Sequence, residues 1–314
     1  MKVAALVPNH NGSDSVLAVV GALLAQSIPQ PHHFEVIIVD DGSTDDSVQM
    51  LEAQYGNSVQ LVRLGENKGR SFARNSAAWS TRDDIDLLVF VDSDCIPTDK
   101  RFISAHIARI EAGADLVFGD VTAEGNDFWS KLQQDVAAAR RTRYAAGDQW
   151  VFTTANFSVR RSLMFDHGGF DPSFDRYGFE DRDFFARVAS PGARVEHASD
   201  ATVIHMDRLT LKGVAKKQCE AGRHGARRFH DRHPGVYGRM ALSRLDCGLH
   251  PWLIPVDTFT APIAHGFCTI PDAWLEWRWL PFRLRSIGAR AIYGLSYMHG
   301  TRLALSDAGI DRDR

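Results

Sequence analysis

The sequence predicts an α/β fold: a Rossmann-like, mostly parallel sheet flanked by helices, followed by a mainly helical C-terminal extension. Three observations carry this. Residues 1–120 alternate short β-rich runs with helical patterns, as parallel strands joined by crossover helices do. The run from Asp86 to Val91 is almost wholly apolar, as a strand covered on both faces must be. That run breaks at once into two carboxylates, LVFVDSDC at residues 88–95, and in open α/β sheets ligands collect outside the carboxyl ends of strands.

The elements follow in order. A first strand, Val3 to Val7, ends in PNHNG at residues 8–12. It lacks a Gly-x-Gly-x-x-Gly, which disfavours an ordinary dinucleotide site. A helix from Ser15 to Gln26 takes Ser13 or Asp14 as N-cap. The second strand, Glu35 to Asp40, runs into VDDGSTDDS at residues 39–47. An Asp-Gly turn and an N-cap at Thr44 or Asp45 account for Gly42 to Asp45 and for a helix to Tyr55, but leave Asp40 and Asp41 without a role. After a strand at Val59 to Leu64 comes ENKGRSFARN, residues 66–75, where Gly69 permits a tight turn. A helix from Ser71 to Trp79 follows, and Arg70 and Arg74 share a face. The fourth strand delivers Asp92 and Asp94. Two residues apart on a strand, they point to one side and suit a hard cation, Mn²⁺ or Mg²⁺, that keeps water and phosphate in its shell; a polar turn is the plainer reading. A helix from Lys100 to Glu111 and a strand from Asp115 to Gly119 complete the alternation.

From residue 121 the pattern is less regular: a helix at Phe128 to Arg143, a β segment at Asn156 to Arg161 and a turn at Gly168 and Gly169. We divide the chain into a first half, 1–120, a second half of the same domain, 121–207, and an extension, 208–314. Composition bounds the function. In 314 residues with 44% hydrophobic content a sizeable core is available, and a net charge of −3 gives no footing for a nucleic-acid binder. Four cysteines without a paired spacing argue against a disulfide framework or zinc cluster and fit a reducing compartment. Pro8 and the polar residues after it interrupt the first apolar run, and no apolar stretch is long enough to span a bilayer, so a cytoplasmic chain is expected, at most at the inner face of the membrane.

VPNHNG at 7–12, VDDGSTDDS at 39–47, ENKGRSFARN at 66–75 and VDSDC at 91–95 together, in this order and spacing, resemble the family 2 glycosyltransferases of the GT-A fold. The resemblance implies a nucleoside diphosphate sugar donor and an inverting transfer of its sugar to a hydroxyl acceptor, a glycan, lipid-linked glycan or small molecule. It implies Asp40 or Asp41 near the base and ribose, and Pro8, Asn9, Asn67, Gly69, Arg74 and Ser93 lining the nucleotide. It also implies Asp92 and Asp94 holding the diphosphate through a divalent ion, with Asp92 touching both. GGFDPSFDRYGFEDRDFFARV, residues 168–188, is similar to the acceptor-side segment of such enzymes, and by family pattern Asp181 is the base, paired with Glu180, while Asp183 is structural. Without the other motifs, acids favoured at a helix N-terminus are the better explanation of this segment. His205, closing the apolar segment from Ala201, stands where relatives supply another metal ligand and would tilt the ion toward manganese; a satisfied structural histidine is the equal alternative. His197 is a weaker rival.

Lys212, Lys216, Lys217, Arg223, Arg227, Arg228 and Arg232 form a basic stretch that either closes over the diphosphate, faces an anionic membrane or is a solvated helix face. The tail from Trp274 to Leu305 mixes Trp274, Trp277, Trp279, Phe282 and Tyr293 with arginines, a pattern that suits a bilayer interface, a homodimer contact or core packing. Because many members of the family act on lipid-linked acceptors, the resemblance places peripheral membrane contact first and cell-envelope polysaccharide synthesis as the setting. A Gln-x-x-Arg-Trp motif, expected of a processive enzyme, is missing, so a single transfer is expected. Two other readings are a non-catalytic carbohydrate or lipid-phosphate binding protein and a nucleotidyltransferase, which would need a Gly-rich basic loop after the first strand.

Overall fold

In a computed structural model of the protein, which describes residues 1–189, 192–269 and 272–309, the chain forms two compact units. The first comprises Met1–Gly125, Gln133–Asp175 and Phe184–Asp207; the second comprises Asn126–Leu132, Arg176–Asp183 and the chain from Arg208 onward. The elements run β1 (Lys2–Asn9), α1 (Val16–Leu24), β2 (His33–Asp40), α2 (Ser47–Tyr55), β3 (Gln60–Arg63), α3 (Arg70–Trp79), β4 (Leu87–Val91), β5 (Cys95–Pro97), α4 (Phe102–Glu111), β6 (Leu116–Thr122), α5 (Phe128–Ala145), β7 (Asn156–Arg160), α6 (Arg161–Asp166), α7 (Glu180–Val188) and β8 (Val195–His205). Then follow α8 (Leu211–Glu220), a π-helical turn at Ala221–Gly225, α9 (Ala226–Arg232), α10 (Pro234–Tyr237), α11 (Leu253–Thr269) and α12 (Phe282–Asp307).

The first unit is built on one sheet of order β3-β2-β1-β4-β7-β6-β8-β5. The apolar runs are explained by burial on both faces. Along β1, Val3, Ala5 and Val7 enter one core with Val16, Val19 and Leu23 of α1, while Ala4 and Leu6 enter the other with Ala73 and Ala77 of α3. The second core is aromatic: Phe90 stacks on Phe157 at 4.6 Å between centroids and Phe170 on Phe184 at 4.3 Å. Each such side chain contributes about 1.5–3 kcal/mol by leaving water. In the second unit, Phe128, Leu132, Leu211, Leu275 and Ile292 form a separate cluster.

The sheet is mostly parallel, as expected, with antiparallel pairings at β7 and β5. β3, β2, β1 and β4 are parallel, but β7 runs antiparallel to both β4 and β6, and β5 antiparallel to β8. Crossover helices make parallel neighbours throughout the first half, where the helical pattern is regular, and β6 and β8 are parallel as well. The predicted caps also move. Ser15 and Asp46 stand at the N-cap positions with no side-chain cap bond. Asp45 instead accepts from the Ser13 and Ser47 amides, tying two loops together.

β8 pairs with β6 through a bulge at Gly119/Asp120, where the register passes from Gly119↔Ala198 to Asp120↔Thr202. A Cβ on Gly119 would lie 2.1 Å from the Ala201 carbonyl oxygen, so only glycine fits. Asn156 Nδ2 pins the bulge by donating to the Asp120 and Ala201 carbonyls, and its Oδ1 lies 3.1 Å from Nε2 of His106, which is fully buried in α4. Burial pulls the His106 pKa down to about 4, with the Asn156 hydrogen bond opposing it. The unfolded chain therefore binds a proton near pH 6.5 that the folded chain refuses until pH 4, and stability falls as pH drops through that window by on the order of 3 kcal/mol. Denaturant midpoints at pH 7 and pH 4.5 are expected to show this drop in the parent and a clearly smaller one in His106→Gln. Equal drops in the two proteins would exclude His106 as its source.

Candidate active site

The carboxyl ends of β1, β2 and β4 lie side by side, since Asn9 pairs in register with Asp40, and Leu6 with Phe90. β1 is also where the strand order reverses, with β2 on one side and β4 on the other, the position at which open α/β sheets take ligands. Asn9 Nδ2 reaches Asp40 Oδ1, Ser43 Oγ and Ser47 Oγ, all within 3.2 Å, and the Ser43 amide donates to the other Asp40 oxygen. Asp41 accepts the amides of Lys68 and Gly69 at 2.7 and 2.9 Å. The paired acids that turn chemistry leaves without a role thus divide the work, Asp40 fastening the loop after β2 to the end of β1 and Asp41 fastening it to the loop before α3, both carboxylates being buried. Gly42 makes the approach possible: its φ is +69° and a Cβ there would sit 2.4 Å from the Glu66 backbone. Asn67 is exposed on this second loop, its Oδ1 accepting from the Gly69 amide.

Arg74 is buried on α3, 5.5 Å from the Phe170 ring centroid, and donates to Asp92 Oδ1 at 2.8 Å. Of the two strand-end aspartates, Asp92 is therefore ion-paired within the protein, while Asp94 faces elsewhere. β5 pairs antiparallel with β8, placing Cys95 opposite His205, and His205 Nε2 lies 3.3 Å from Asp94 Oδ2. Ser93 between them accepts from Ser15 Oγ through its carbonyl. Burial disfavours both charges of the Asp94–His205 pair, yet the contact outweighs it: the Asp94 pKa is lowered and that of His205 raised. His205 Nδ1 is buried without a hydrogen-bond partner. Ligand atoms of Asp94, Cys95 and His205 lie within 4.8 Å of one another. A carboxylate oxygen and an imidazole, with one imidazole nitrogen unsatisfied, fit a divalent cation, while burial raises the pKa of the adjacent Cys95 thiol and keeps it protonated. Asp92 is outside this group and Cys95 inside it. The only signal for Cys95 in the sequence is its place directly after Asp94. His197 is engaged elsewhere, 2.9 Å from Asp120, which also binds Arg141.

In the second unit, residues 176–183 form a tight turn into the start of α7. Phe179 has φ +72°, a left-handed conformation that costs an aromatic residue about 1–3 kcal/mol. Its ring is held by Phe229 and Tyr237 at 5.1 and 5.9 Å. Glu180 is buried and accepts the Gly178 amide; Asp181 is half-buried, with Oδ1 2.8 Å from the Arg182 amide. Asp183 is wholly buried against His233 Nε2 at 3.0 Å and Arg232 at 3.5 Å, so it locks this turn to α9. Sequence reasoning missed Phe179, because nothing in the residue type signals its backbone conformation. In the basic stretch, Arg223 pairs with Asp307, Arg227 with Asp231, and Lys217 lies over the Tyr177 ring.

The chain is 25% identical over 260 residues to the uncharacterized glycosyltransferase YfnE of Bacillus subtilis (strain 168), covering 66% of this chain and 65% of that one. It is 26% identical over 215 residues to the succinoglycan biosynthesis protein ExoU of Rhizobium meliloti (strain 1021), covering 61% and 58%. The chain thus spans under two thirds of the length of these relatives. Its fold matches the mannosyltransferase PcManGT from Pyrobaculum calidifontis, solved with GDP-Man and Mn²⁺, at a TM-score of 0.57 and 17% identity over 99% of this chain and 87% of that one. The architecture is therefore that of the GT-A glycosyltransferases with a helical C-terminal region. The family model described as Glycosyl transferase family 2 matches residues 4–170, slightly more than half of the sequence, and the chain belongs to that family.

Proposed function

We propose that this protein transfers a sugar, with inversion, from a nucleoside diphosphate sugar to a hydroxyl acceptor, with a divalent ion held by Asp94 and His205. The observation that carries this reading is the meeting of Asp94 and His205 through β5–β8 pairing, beside the strand ends where nucleotides bind, with one imidazole nitrogen left unsatisfied. When bound, the ion would neutralise the leaving diphosphate. Asp40 and Asp41 would act chiefly by holding the Asn67–Gly69 loop and the end of β1 in the shape that receives base and ribose. Arg74 would keep Asp92 oriented. Asp181, on the fixed turn behind Phe179, would take the acceptor proton as the hydroxyl oxygen bonds the anomeric carbon and the electron pair of the breaking bond leaves with the diphosphate. Most of the rate would come from positioning and charge stabilisation. The place of ExoU in succinoglycan biosynthesis supports a glycan or lipid-linked glycan acceptor and a setting in envelope or extracellular polysaccharide synthesis.

Titration calorimetry with UDP-, GDP- and dTDP-sugars, each in Mn²⁺ and in EDTA, tests the donor half of this reading. One nucleotide class is expected to bind in Mn²⁺ and to lose at least about tenfold in affinity in EDTA. Absence of binding by every donor in Mn²⁺ would remove the reading.

A further inference from the structure

α11 carries two apolar faces, and only one is used. Leu253, Asp257 and Ala264 turn inward and are buried. On the other side Trp252, just before the helix, and then Val256, Phe259, Ile263 and Phe267 recur at intervals of four and three, which places them on one stripe. All five are exposed, Trp252 by 67%, Phe259 by 78% and Ile263 by 57%. A helix apolar all round is a buried helix. Its exposed hydroxyls already suit an apolar medium, because Thr258 and Thr260 donate to the carbonyls of Ile254 and Val256. The stripe does not end with the helix. The Phe267 ring lies 6.3 Å from that of Trp274, which packs on α12 at Gly288, beside exposed Ile287. Trp277 and Trp279, stacked at 5.3 Å, continue the exposed apolar surface. Trp252, Phe259, Trp277 and Trp279 alone expose on the order of 500 Å², large for a patch without a partner.

The charges around this surface choose its occupant. Arg278, Arg283 and Arg290 are exposed beside it. The acids of the same stretch are bound to protein donors: Asp257 is fully buried against His299 and Arg302, half-buried Asp272 accepts from Trp129 and the Leu211 amide, and Glu276, though exposed, accepts the Phe128 amide. A two-fold contact with a second copy would set these three arginines against their own images with one exposed acid, Glu276, per copy to offset them. Tryptophan, apolar stripe and arginine rim instead match the boundary of an anionic bilayer, where aromatic rings sit at headgroup depth and each basic residue gains from the surface potential. Among the described residues no helix is long and apolar enough to cross a membrane.

We infer that the outer face of α11, with Trp277 and Trp279, docks the protein in plane on a bilayer rich in anionic phospholipid. This goes beyond the transferase reading and does not depend on it, because vesicle binding requires neither donor nor ion. The test is co-sedimentation of the full chain with vesicles of phosphatidylglycerol and phosphatidylcholine in equal parts, against pure phosphatidylcholine. Partitioning is expected to be at least about tenfold stronger on the anionic vesicles and to weaken with added salt. The double variant Phe259→Glu/Ile263→Glu is expected to lose about tenfold or more in partitioning while keeping the parent melting temperature, since both side chains are exposed. Arg278→Gln/Arg283→Gln is expected to remove the preference for anionic lipid. A parent protein that stays in the supernatant with anionic vesicles would overturn the inference, as would a Phe259→Glu/Ile263→Glu variant that partitions like the parent. A concentration-dependent dimer abolished by Phe259→Glu/Ile263→Glu would reassign the face to self-association and overturn it too.

Discussion

Replacing Asp181 by asparagine is expected to lower kcat by about 10²–10⁴, the usual contribution of a positioned general base. The change keeps size and hydrogen-bonding reach but removes the basic oxygen pair. Since Asp181 is half-buried and its contact with the Arg182 amide is also open to an amide oxygen, the fold should be undisturbed. Donor affinity in Mn²⁺ is therefore expected to stay within about twofold of the parent, so that the loss appears in kcat and not in donor KM. Glu180→Gln is the informative companion. Glu180 is buried and spends Oε2 on the Gly178 amide, which the glutamine oxygen can also accept, so a loss of about tenfold or less is expected. Steady-state kinetics on both variants with one donor and acceptor pair decides the roles. Asp181→Asn activity within tenfold of the parent would strike Asp181 from the mechanism, and a larger loss in Glu180→Gln would transfer the role to Glu180.

The second large effect concerns the ion. Asp94→Asn together with His205→Ala removes the carboxylate and imidazole that face each other at 3.3 Å, and Mn²⁺ affinity is expected to fall by about 100-fold or more. The free-Mn²⁺ paramagnetic resonance signal measures this without substrate or turnover. Asp92→Asn is expected to cost about tenfold or less, because Arg74 occupies Asp92 Oδ1 and the proposed ligands are Asp94 and His205. Equal losses at Asp92 and Asp94 would show that Arg74 releases Asp92 to the ion, and unchanged Mn²⁺ binding in the double variant would move the metal site elsewhere.

Much of the first unit was legible because its signals are local. A strand covered on both faces reads as an apolar run whatever lies beside it, and the five strands expected in residues 1–120 are all present, displaced at their ends by three residues or fewer. The acids at strand ends were legible for the same reason: an apolar run can stop in carboxylates only where the chain leaves the core. β5, three residues long, was not foreseen, because it is a strand only by virtue of pairing with β8. The exposed stripe of α11 was also missed. Burial is a property of neighbours: the sequence concentrates the tail's aromatics from Trp274 on, whereas Trp274 is half-buried and Phe259 and Ile263 lie open.

What the sequence by itself determined is therefore the alternation of strands and helices, the order of the motifs, and the placement of Asp40, Asp41, Asp92 and Asp94 at strand ends, since periodicity and composition act over a few residues. Only the tertiary structure decided which of these acids is spent on loop amides, which is held by Arg74, and which meets a histidine 111 positions away. The reason is the bulge at Gly119/Asp120, which shifts β8 against β6 and brings its last residue opposite Cys95, a register set by hydrogen-bond geometry and close backbone approach rather than by any pattern along the chain.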